Sequence, residues 1–244
     1  MPAGLAPAEA LYAAAVLVAA YLVRGITGFG SALVAVPLLA LVLPLRVVVP
    51  TIVLLDYLAS LSHGVHHRQS VRWAEVAAIL PFTLLGLGTA LYLFQKADAE
   101  LLRQALGVFV LGYALYSLLI PQNTGLGSRL WAGPLGFFAG LIGTLFGTGG
   151  PFTVIYLGLR GLTKNHFRGT IAVIFLLDGG SRVLGYLGSG FYDRQNLWLI
   201  AAGLPIMAGA LYAGGHIHTR ITPQGFKRAV AFVLLGSGLA LLLR

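Results

Sequence analysis

The chain has 244 residues, of which 58% are hydrophobic and only 9% charged, with a formal net charge of +9 and no cysteine. A soluble domain carries about 25% charged residues, so a water-facing globular enzyme is excluded and lipid must be the main solvent. The missing cysteine removes disulfides, thiolate metal sites and a thiol nucleophile from consideration.

The positive charge sits in short gaps between apolar runs, as when Lys and Arg hold loops on the cytoplasmic side. No basic helix, finger or aromatic platform accompanies it, so nucleic acid is not an expected partner. Glu9 lies near the start and no Lys or Arg precedes Arg24. A signal peptide needs a basic n-region, so the first apolar run is expected to remain in the mature protein.

A bilayer core takes about 20 apolar residues per helical pass. Apolar runs fall near residues 10–45, 47–62, 74–94, 101–120, 130–159, 169–191, 197–215 and 225–243. The first and fifth are too long for one pass. The middle of the first reads Arg24-Gly25-Ile26-Thr27-Gly28-Phe29-Gly30-Ser31, and that of the fifth reads Gly143-Thr144-Leu145-Phe146-Gly147-Thr148-Gly149-Gly150-Pro151. Glycine is a poor helix former and proline removes a helical hydrogen bond. Both runs are therefore expected to be interrupted helices, two half-helices meeting near 24–31 and near 143–151.

Matched interruptions point to a duplication. Gly28-Phe29-Gly30 corresponds to Gly147-Thr148-Gly149, Leu54-Leu55-Asp56 to Leu176-Leu177-Asp178, and Trp73 to Trp198. Leu80-Pro81 corresponds to Leu204-Pro205, and Leu111-Gly112 to Leu235-Gly236. The expected architecture is an all-α polytopic membrane protein of about eight segments in two homologous repeats. The repeats cover 1–124 and 125–244, each opening on a glycine-interrupted helix, and they form one functional unit. Loop charge gives the same bias whether runs one and five cross fully or dip in and return. Inverted and tandem repeats both remain open.

A helix broken at membrane depth frees backbone groups that lipid cannot satisfy, and such breaks are found where protein or a watery cavity meets them. The following half-helix turns free N–H groups and positive partial charge toward an anion. Gly28, Gly30, Ser31, Gly147, Thr148, Gly149 and Gly150 are thus the candidate substrate contacts, whereas Gly86 and Gly88 read as close helix packing. Arg24, Asp56, Asp178 and Arg182 are ionisable residues inside apolar runs, each costing about 2.5–3.5 kcal/mol to insert. Asp178 and Arg182 are four apart on one helix and can pair. Arg24 can meet Asp56 or an anionic substrate. Either these residues are internal ion pairs, or one Asp relays protons and an Arg contacts the anion.

Other patterns carry less. Gly28-Phe29-Gly30-Ser31 lacks the strand that a dinucleotide loop requires, and no Walker A pattern is present. His63, His66 and His67 beside Arg68 and Arg72 read as a solvated basic loop, as do His216 and His218, so no metal and no cofactor is expected. Gly179-Gly180-Ser181-Arg182 fits the Gly-x-Ser pattern of an intramembrane serine protease only loosely, with His216 as the candidate base.

Around the two glycine loops, with Pro37, Gly140 through Pro151, and Asn165-His166-Phe167-Arg168-Gly169-Thr170, the sequence resembles the sulfite exporter TauE/SafE family of membrane permeases. That resemblance implies a multi-pass protein of the bacterial inner membrane that moves small sulfur-containing anions such as sulfite and sulfonates. The expectation is a secondary transporter, not an enzyme, with its site between the repeats and a proton gradient through Asp56 or Asp178 as coupling. A passive anion channel is the competing class. The expected partners are the anion and the bilayer, with a homodimer left open.

Overall fold

The computed structural model describes residues 6–28, 30–62, 70–119, 127–217 and 223–243. His63, His66, His67, Arg68 and His218 lie outside the described residues. Among the described residues the chain forms ten α-helices and one 3-10 turn.

The first apolar run becomes α1 (Pro7–Thr27) and α2 (Ser31–Leu39), and the second becomes α3 (Leu45–Ser62). Then come α4 (Trp73–Lys96), α5 (Ala99–Leu119), the 3-10 turn (Arg129–Trp131), α6 (Ala132–Phe146) and α7 (Gly150–Leu159). The chain ends with α8 (Lys164–Gly188), α9 (Arg194–His216) and α10 (Pro223–Leu243). Six of these are long and apolar enough to cross a membrane: α1, α4, α5, α6 together with its leading turn, α8 and α9.

The pieces on either side of each interruption are unequal. Helix α1 has 21 residues and can span by itself, whereas α2 has 9, about 14 Å. Gly28 stands a full membrane thickness from Pro7, so the break falls at the end of a complete helix instead of midway along it. The second interruption repeats the pattern, with 10 residues in α7.

The helices gather into two compact units. One holds Met1–Leu55, Ala97–Pro121 and Phe191–Arg244, and the other holds Asp56–Lys96 and Gln122–Gly190. Each therefore mixes elements from both halves of the sequence.

In the first unit α1 packs on α9 and α5 on α10. Lipid tails are as apolar as leucine, so close backbone approach has to hold membrane helices together. Gly25 and Gly214 provide it for α1 and α9: a Cβ on Gly25 would lie 2.7 Å from the Leu211 carbonyl oxygen. Gly107 and Gly238 provide it for α5 and α10, each facing the other's carbonyl. Asn196, buried near the start of α9, donates to the Val47 carbonyl at 3.0 Å and to Thr51 Oγ1 at 3.2 Å.

In the second unit α4 lies along α6 through Gly86 and Gly140, whose Cβ atoms would strike the carbonyls of Phe137 and Thr83. Large apolar side chains such as Leu85, Tyr92, Leu184 and Leu187 are exposed, as lipid-facing positions require. Trp73 and Trp198 are exposed at the starts of α4 and α9, where interfacial aromatics concentrate.

Candidate functional site

At the first interruption Gly28 and Gly30 adopt φ of +85° and +95°, a left-handed backbone that side chains rarely enter. A Cβ at either would meet nothing within 4 Å, so conformation and not crowding demands glycine. The Gly28 N–H closes the end of α1 on the Arg24 carbonyl. Arg24 then reaches over the break, its Nη1 donating to Ser31 Oγ at 3.1 Å. Ser31 is fully buried at the first turn of α2. Arg24, Gly28, Gly30 and Ser31 are thereby brought together.

At the second interruption Gly147 takes φ +71°, and Gly149 precedes α7 with Pro151 in its first turn, where its missing N–H costs nothing. The last four carbonyls of a helix lack internal partners. Here α8 meets one of them, the Tyr186 hydroxyl donating to the Thr144 carbonyl, while Arg182 Nη2 donates to the Ala139 carbonyl further back in α6 at 3.1 Å.

The Arg182 guanidinium lies against Gly143 and Gly149. A Cβ on Gly143 would overlap it, and one on Gly149 would come within 2.6 Å of Nη2. Arg182 is ion-paired with Asp178, one helical turn earlier. The group is deeply buried: Thr144 is 0% exposed, Thr148 3%, and Asp178 and Arg182 6% each. Thr144 Oγ1, Thr148 Oγ1, Asp178 Oδ1 and Arg182 Nε have no hydrogen-bond partner among the described residues. Gly143, Gly149, Asp178 and Arg182 are thus brought together, with the buried Thr144 and Thr148 as chain neighbours of the two glycines.

Asp56 lies on α3, where its carbonyl accepts from Ser60 Oγ at 2.9 Å. The Ser181 hydroxyl is turned to the Leu177 carbonyl of its own helix, and the His216 ring sits against Tyr212.

Sequence reasoning missed Thr144 and Tyr186 as part of this cluster, although Thr144 stands inside the glycine-rich string itself. It also missed Glu75. That carboxylate, 4% exposed near the start of α4, accepts from Arg129 Nη2 at 2.9 Å, Arg160 Nε at 3.1 Å and the Tyr156 hydroxyl at 2.5 Å. Arg160 also donates to the Gly127 carbonyl. An acid in the first turn of an apolar run was the available signal.

An all-helical chain with six helices of membrane-crossing length, and ionisable groups buried among them, has the make-up of a polytopic membrane transporter. The chain belongs to the sulfite exporter TauE/SafE family, whose model matches residues 12–241. It is 30% identical over 196 residues to the probable inner membrane transporter protein TsaS of Comamonas testosteroni, covering 78% of this chain and 80% of that one. It is 26% identical over 231 residues to the probable sulfite/organosulfonate exporter TauE of Cupriavidus necator, covering 89% and 88%. No solved structure matches. Membership makes the protein a permease and not an enzyme.

Proposed function

We propose that the protein is a secondary transporter of a small sulfur-containing anion, sulfite or a sulfonate, in the bacterial inner membrane. The observation that carries this reading is a guanidinium at each glycine break in a chain of the TauE/SafE family. Arg24, Gly28, Gly30, Ser31, Gly147, Thr148, Gly149 and Gly150 serve as anion contacts. Asp56, Asp178 and Arg182 balance charge and couple transport to protons. The relatives named as an inner membrane transporter and a sulfite/organosulfonate exporter support the location and the cargo.

Two repeats, 1–124 and 125–244, account for the alternating access that such transport needs. Helix pairing supports the duplication. The broken helix of the first half, α1, packs on α9, while that of the second half, α6, packs on α4, the first-half counterpart of α9. Aligning Gly28 with Gly147 sets Arg24 opposite Gly143, where the guanidinium comes instead from Arg182. Each break thus receives one arginine, from a different helix.

Flux of sulfite and of small sulfonates into liposomes, with and without an imposed pH gradient, tests the proposal. Uptake that responds to the gradient and disappears in Asp178→Asn or Asp56→Asn supports coupled transport. Flux indifferent to the gradient identifies a passive channel, and absence of flux for every sulfur anion refutes the reading.

A further inference from the structure

Among the described residues, four of the five buried polar side-chain atoms without a hydrogen-bond partner belong to the second break and the helix beside it. They are Thr144 Oγ1 and Thr148 Oγ1, next in the chain to the Gly143 and Gly149 that lie against Arg182, with Asp178 Oδ1 and Arg182 Nε on α8. Buried polar groups are satisfied in folded proteins with few exceptions, and each exception calls for an explanation. The helical carbonyls around these atoms are met by Tyr186 and Arg182, so the region is not simply ill-packed.

The unmet atoms define the chemistry they would receive. Arg182 Nε–H only donates, each threonine hydroxyl can donate, and an ionised Asp178 Oδ1 only accepts. Asp178 and Arg182 also cancel in charge through their ion pair. The site thus offers three donors, one obligate acceptor and no net charge.

We infer that this cluster binds a monoanionic oxyanion that keeps one proton on an oxygen of its own, as hydrogensulfite does. Its bare oxygens receive the two hydroxyls and Arg182 Nε–H, and its own O–H donates to Asp178 Oδ1. A dianion would bring a second uncompensated charge into a buried site and set an oxygen lone pair against the carboxylate. The inference rests on the transport reading and sharpens it: the coupled proton crosses on the cargo, held by Asp178.

The other ionisable groups around α8 leave this balance alone. Helix α6 has none. Helix α4 carries Glu75, held by Arg129, Arg160 and Tyr156 of α7, then the exposed Tyr92, and Lys96 at its far end. From α3, Tyr57 lies against Gly179 and Gly180, and α8's own Tyr186 is spent on the Thr144 carbonyl. Lys164, His166 and Arg168 belong to the opening turns of α8.

Sulfite binding to the full chain in lipid nanodiscs, titrated over a pH series spanning the second ionisation of sulfite, tests the inference. Methanesulfonate, which has no O–H, is the control. Apparent affinity for total sulfite is expected to fall about tenfold per pH unit above that ionisation, because only the protonated fraction binds. Methanesulfonate should bind at least about tenfold more weakly, lacking a donor for Asp178. Thr144→Val and Thr148→Val should each cost about tenfold, with serine at either position restoring binding. Asp178→Asn leaves Arg182 unbalanced, so sulfite affinity should rise with pH instead of falling. A wild-type affinity flat or rising with pH, valine variants at wild-type affinity, or equal methanesulfonate binding overturns the inference and leaves sulfite transport standing. No binding of any sulfur anion by the wild type overturns both.

Discussion

The Tyr156 hydroxyl donates to Glu75 Oε2 across 2.5 Å, although 81 residues separate the two in the chain. With Arg129 and Arg160 on the same carboxylate, this contact ties the start of α4 to the end of α7 and to the turn that opens α6. Breaking a buried charge cluster by deleting one partner costs more than the cluster contributes net, because the surviving charges stay buried. Arg160 is the partner that suffers most; Arg129 is half-exposed and can turn to water. Glu75→Ala should therefore destabilise the protein by about 3 kcal/mol. Tyr156→Phe, which leaves both ion pairs, should cost about 1 kcal/mol. Thermal unfolding in detergent reads both, and equal losses would contradict the arrangement.

The glycines of α4 separate by what they face. A methyl on Gly86 would strike the Phe137 carbonyl, whereas one on Gly88 would meet nothing within 4 Å. Gly86→Ala and Gly140→Ala should each cost about 2 kcal/mol or more, since a backbone oxygen cannot move aside as a side chain can. Gly88→Ala should be neutral or stabilise by up to about 1 kcal/mol through helix propensity. Melting temperatures of the three variants check the contrast.

At the first break the demand on glycine is conformational. Gly28→Ala and Gly30→Ala meet no neighbour but place a Cβ at positive φ, a penalty of about 1–2 kcal/mol each. Asparagine, which enters this region more readily, should retain more stability than alanine at both positions. The order Gly above Asn above Ala in thermal stability is the expected result.

Gly143→Ala removes no polar atom, yet its methyl must displace the Arg182 guanidinium. Moving Arg182 strands the Asp178 charge, so anion flux should fall at least about tenfold. Shortening the intruding partner with Arg182→Lys in the same chain should not rescue it, because an ammonium lacks the planar fork. Liposome flux of the single and double variants measures this.

Much of the architecture could be read from local pattern. Run length and hydropathy located the helices, because each pass must satisfy its own backbone in lipid. Glycine density marked both interruptions, since a left-handed residue ends a helix whatever lies around it. The Asp178–Arg182 pair followed from spacing alone, four residues being one turn. The unequal pieces at each break were not legible in the runs, whose apolar bounds put both glycine strings near the middle; the helix ends that make them unequal are seen only in the structure.

Glu75 and Thr144 belong to a different kind of information. Nothing near Glu75 in the chain names Arg129, Tyr156 or Arg160 as its partners. Nor does any local signal tell the close-packed Gly86 from the open Gly88. Sequence by itself determined which stretches are helical, where they stop and which charges they carry into the bilayer, because those follow from backbone satisfaction and residue spacing along one helix. Tertiary structure decided which face of each helix meets another, and hence that Arg182 fills the notch at Gly143 and Gly149. Lipid and protein interior are equally apolar, so hydropathy leaves the rotation of a helix about its axis undetermined; close contact between backbones and the pairing of buried polar groups determine it.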